Sequence, residues 1–83
     1  MDWKFQDLMT RGFSLSNKYS FREWNQREFD EWIEECRDIL SVCEPEPSFP
    51  WYPRPENIEE IVMTLGQIRR KISCGEIEYT GLL

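Results

Sequence analysis

The side chains able to do chemistry in this chain are three thiols and a run of carboxylates, and there is no histidine among its 83 residues. Without imidazole there is no Ser/His or Cys/His pair to activate a nucleophile, and no general base poised near neutral pH. Zinc would want four ligands, so Cys36, Cys43 and Cys74 would have to recruit a carboxylate or water. Cys36 and Cys43 are seven residues apart in a segment with helical periodicity. That is about 10 Å along a helix axis, more than a disulfide spans. Both fall on the apolar side and read as small buried hydrophobes; Cys74, beside Gly75, is the more accessible thiol. The expectation is a protein without cofactor, metal or catalysis.

The carboxylates have a more specific placement. Glu28, Asp30, Glu31, Glu34, Glu35 and Asp38 project onto one arc of a helix, opposite Phe29, Trp32, Ile33, Cys36, Ile39 and Leu40. Facing away from the apolar side, they imply no pocket that would shift their ionisation for acid–base work. They read either as a negative strip that docks a basic partner or as a solvated helix face, interrupted by Arg27 and Arg37. Two further sets of residues stand out. Phe49, Trp51 and Tyr52 sit on a run that holds all five prolines, Pro45 to Pro55. They either contact a partner or fold inward over the core. Arg69 projects into the middle of an apolar arc, where it contacts a partner or snorkels to solvent. The binding residues expected from sequence are therefore Glu28, Glu31, Glu34, Glu35, Asp38, Trp51, Tyr52 and Arg69.

These residues need elements to hold them. The first helix is expected from Asp2 to about Arg11, ended by Gly12 and followed by a polar turn to Asn17. The central helix begins at one of two capping patterns, Ser20 with Glu23 or Asn25 with Glu28, and runs to Cys43 or Glu44, where the prolines stop it. A third helix starts at Asn57, capped with Glu60, and carries Ile58, Ile61, Val62, Leu65, Ile68 and Ile72 on one face. Gly66, at the edge of that face, would let another helix approach closely. Gly75 is a natural C-cap, and the tail from Glu76 is expected to be a short extended arm. The fold class is all-α: one small three-helix bundle, its second and third helices antiparallel and joined by a proline-rich crossover.

The layout resembles a helical pattern in uncharacterised prokaryotic proteins, carried here by WIEECRDIL (Trp32–Leu40) and IVMTLGQIRRKISCGE (Ile61–Glu76). The resemblance implies a structural module beside a larger effector domain and brings no catalytic residues with it.

Charge narrows the function classes. Ten basic against sixteen acidic residues give a net charge of −6, which opposes general nucleic-acid binding and adsorption to anionic membranes. No apolar stretch is long enough to span a bilayer, the first residues lack a signal-peptide pattern, and the odd thiol count suits a reducing cytosol. The expectation is a cytoplasmic acidic protein-interaction module or regulator with a basic protein partner, and a homodimer is a further expectation. The alternative is a nucleic-acid-associated regulator using Arg69, Arg70 and Lys71.

Overall fold

A computed structural model describes residues 2–49 and 53–80; the candidate contact residues Trp51 and Tyr52 lie outside them. Three helices dominate: α1 (Asp2–Ser20), α2 (Gln26–Ser41) and α3 (Ile58–Ser73). Two short strands, β1 (Cys43–Glu44) and β2 (Glu78–Tyr79), pair antiparallel, with Cys43 opposite Tyr79. The all-α three-helix class and the extended C-terminal arm are as expected.

The first helix is not. It continues through Gly12 and the expected polar turn, so that Phe5, Leu8, Gly12 and Leu15 form one buried face. Gly12 ends nothing; it is where three helices meet. A Cβ there would lie 2.5 Å from Val62 Cγ2 and 2.7 Å from Trp32 Cζ2. Gly66, the expected site of close approach, is looser, with Met9 Cε at 3.4 Å. The end of α1 falls at Arg22, which holds a left-handed φ of 60°. Glu23 N–H donates to Lys18 O at 2.8 Å and Arg22 N–H to Tyr19 O at 3.2 Å. This is the Schellman pattern, built with arginine where glycine is usual. α3 ends the same way at Gly75, φ 88°, with Glu76 N–H donating to Lys71 O at 2.9 Å.

Of the two capping patterns before α2, Asn25 is the one used. Its side chain accepts from the backbone N–H of Arg27 and Glu28, and Ser20 belongs to α1. Asn57, by contrast, makes no side-chain cap, because a 3-10 turn over Pro55–Asn57 leads into α3 instead.

Contacts along α1 set the direction of its neighbours. Against α2 they run Lys18–Glu28, Arg11–Glu35 and Leu8–Trp32; against α3 they run Gly12–Val62, Met9–Gly66 and Gln6–Arg69. The α3 numbers rise steadily as the α1 numbers fall; against α2 the trend runs from Lys18–Glu28 through Arg11–Glu35 to the groove that Trp3 and Lys4 share with Ile39 and Val42, with the long Trp32 side chain reaching ahead to Leu8, so α1 is antiparallel to α2 and to α3. The second and third helices are therefore parallel, not antiparallel. Prolines explain the difference. The thirteen residues between the helices, rich in proline, are more than a tight turn needs; in polyproline geometry that length would reach about 40 Å, ample to return along a helix of about 24 Å. The returning chain borders both helices: Phe49 is half-buried against the core, with the Arg37 guanidinium 5.6 Å from its ring, and Pro47 sits beside Thr64 and Ile68.

Trp32 is fully buried at the centre, and its indole N–H donates to Leu8 O at 2.8 Å. Phe5, Ile61 and Leu65 are equally buried around it. Each such side chain contributes about 1.5–3 kcal/mol of transfer free energy. Among the described residues no buried side chain leaves a polar atom unpartnered.

Candidate interaction surface on the second helix

α2 carries the expected carboxylates, and the periodicity that buries Phe29, Trp32, Cys36 and Leu40 turns them outward or sideways. The structure divides them into two groups. Those facing α1 are occupied. Glu28 takes the Lys18 ammonium at 2.8 and 3.1 Å. Glu35 takes the Arg11 guanidinium with both oxygens, and Arg11 also reaches Asp7 at 3.3 Å. Hydrogen bonding to Arg11 holds the Glu35 carboxyl below its ordinary range, and the pair raises the guanidinium in turn. Glu31 meets Arg27 on its own helix at 3.3 Å. Glu28 and Glu35 are thus paired with α1, while Glu31, paired only within its own helix, stays exposed.

What remains is a row of three. Asp30, Glu34 and Asp38 are exposed and form no salt bridge among the described residues; Asp30 accepts only the Gln26 amide, at 2.9 Å. Four-residue spacing places successive carboxylates about 6 Å apart along the axis. Asp30 was not among the residues singled out for binding, although its place on the acidic arc was evident. The signal that separates it from Glu28 and Glu35 is the position of α1, which sequence did not provide.

Asp38 ends this row at a groove between the start of α1 and the end of α2. Trp3, Lys4, Ile39, Val42 and Tyr79 share its walls, enclosing about 350 Å³. Trp3 is 67% exposed, with the Lys4 ammonium 5.9 Å from its ring. Such a site offers an apolar wall and a carboxylate side by side.

Arg69 is half-buried over the α1–α3 seam, and its Nη1 donates to Gln6 Oε1 at 3.0 Å. The expected cluster with Arg70 and Lys71 is thus partly spent on holding two helices together. Cys36 and Cys43 are buried, and desolvation pushes the Cys36 thiol up to about 12; Cys74 is exposed. No helix among the described residues is long and apolar enough to cross a membrane. Comparison of the chain with protein-family models, with curated proteins and with solved structures finds no match in any of the three.

Proposed function

We propose that this chain is a small acidic protein-interaction module that binds a basic protein segment by surface contact rather than by chemistry. The observation that carries the reading is the row Asp30, Glu34 and Asp38, which forms no salt bridge among the described residues while Glu28 and Glu35 are paired with cations of α1. A basic helix presenting lysine or arginine every fourth residue has the same spacing of about 6 Å. An apolar side chain at its end would enter the groove beside Trp3 and Val42. Charge complementarity of this kind governs encounter rate and partner choice more than raw affinity. A cytosolic location belongs to the reading and is supported by the three free thiols.

The test is a titration of the ¹⁵N-labelled chain with a lysine-rich amphipathic peptide, followed by amide shifts. Shifts are expected at Glu34, Asp38 and Trp3, weakening as salt rises. The paired substitution Glu34→Lys with Asp38→Lys should abolish binding without loss of fold, since both side chains are exposed and unpaired. Binding that survives it, or that maps to Arg70 and Lys71, would refute the reading.

A further inference from the structure

α1 distributes its charges unevenly. Lys4, Asp7, Arg11 and Lys18 project within about 60° of one another, on the side of α2. The flank beside α3, through Gln6, Met9, Phe13, Ser16, Asn17 and Ser20, is an arc of about 100° on which the one charged residue is Asp2, at the first position of the helix. In a chain that is 31% charged, this is a strong bias. The adjoining face of α3 presents Met63, 66% exposed, and on α1 Phe13 is 56% exposed. Gly66 leaves a notch in a groove that Met9, Met63 and Arg70 also line. Depletion of charge with enrichment of methionine and aromatics is the composition of an interface centre.

We propose that this face binds a second copy of the same chain, with the two α3 helices antiparallel about a two-fold axis. The pattern of α3 selects that occupant. Its outer face is acidic at one end (Glu59) and basic at the other (Arg70), with Met63 and Gly66 between. A uniformly basic or acidic partner would meet like charge at one of the two ends. A second copy related by a two-fold axis between Thr64 and Leu65 meets none. Glu59 and Arg70 each lie about 8 Å from that axis along the helix, so each faces the other's counterpart. Met63 of one copy then stands opposite the Gly66 notch of the next, and both pairings occur twice, as an isologous interface requires. The face is narrow, so association is weak. This inference is independent of the carboxylate row on α2.

Sedimentation equilibrium of the full chain, from micromolar to millimolar concentration, tests it. A monomer–dimer equilibrium is expected. Met63→Glu should weaken it by about tenfold or more while leaving the thermal melt of the dilute protein unchanged, because the side chain is solvent-facing. Glu59→Arg and Arg70→Glu should each weaken association, and the two together should restore it. A monomer at every concentration, a dimer indifferent to Met63→Glu, or a double variant weaker than either single would overturn the proposal.

Discussion

Replacing Gly12 by alanine tests the packing directly, because two effects of opposite sign compete. In an unconstrained helix interior the change is favourable by about 1 kcal/mol, since glycine gives up more backbone entropy than alanine. Here the new methyl would sit 2.5 Å from Val62 Cγ2 and 2.7 Å from Trp32 Cζ2, about 1 Å inside ordinary carbon contact. Neither neighbour can yield easily. Val62 is 2% exposed, and Trp32 is fully buried with its ring anchored by the hydrogen bond to Leu8 O. Overpacking of this kind costs about 1–3 kcal/mol, and the fixed neighbours place Gly12 at the upper end. The net expectation is a loss of about 2 kcal/mol, or a fall in Tm of roughly 8–16 °C for a domain of this size. Gly66→Ala is the control. Its Cβ would meet only the flexible end of Met9, at 3.4 Å, so it should stabilise the dilute monomer by about 0.5–1 kcal/mol. Urea unfolding of both variants gives the two signs. A Gly12→Ala protein as stable as the parent would refute the three-helix contact, and with it the parallel arrangement of α2 and α3.

Other consequences follow from the caps, the ion pair and the thiols. Arg22→Gly should stabilise the chain by about 1 kcal/mol, because it relieves a non-glycine residue of the left-handed conformation that ends α1; a destabilised variant would place the helix end elsewhere. Glu35 has a carboxyl held below its ordinary value of 4.5 by Arg11, so its contribution to stability is present above that value and lost as pH falls through the lowered one. Glu35→Gln should flatten that acid limb, by less than about 1 kcal/mol because the pair is partly solvated, and an unchanged pH profile would show the pair to be inert. A thiol reagent should modify one cysteine, Cys74, in the native protein and the other two only on unfolding; early reaction of Cys36 would contradict its burial.

Periodicity made the core of α2 and α3 legible. Phe29, Trp32, Ile33, Cys36, Ile39 and Leu40 are all buried, as are Ile58, Ile61, Val62, Leu65 and Ile68. It failed at α1 for a physical reason. Gly12 has the right residue type for a helix end and Arg22 the wrong one, yet the fold uses them the other way round. The spacing Phe5, Leu8, Gly12, Leu15 is continuous once the glycine is counted as part of the packed face rather than as a stop. Tertiary approach decides between the two, and that information is non-local. The acidic strip shows the same limit. Its arc was visible, but the half of it that α1 neutralises depends on Arg11 and Lys18, which lie 24 and 10 residues from their partners.

The crossover has a consequence for function that the helices alone would not produce. A short turn between α2 and α3 would have made them antiparallel neighbours; the proline run lets both lie antiparallel to α1 instead. α1 is then the seam between two unlike flanks, Lys4, Asp7, Arg11 and Lys18 turned toward α2 and a flank with no lysine or arginine toward α3. If the α3 flank pairs with a second copy, the two rows of Asp30, Glu34 and Asp38 are set on separate faces of one particle. A partner bearing two basic segments on a linker long enough to reach both would then be held by effective concentration as well as by contact. The two proposals become separable in one assay. Met63→Glu should lower the affinity for a tandem basic peptide and leave that for the single peptide unchanged. Equal loss for both peptides would mean that the α3 face contributes to the binding site itself, and the division of labour argued from α1 would be wrong.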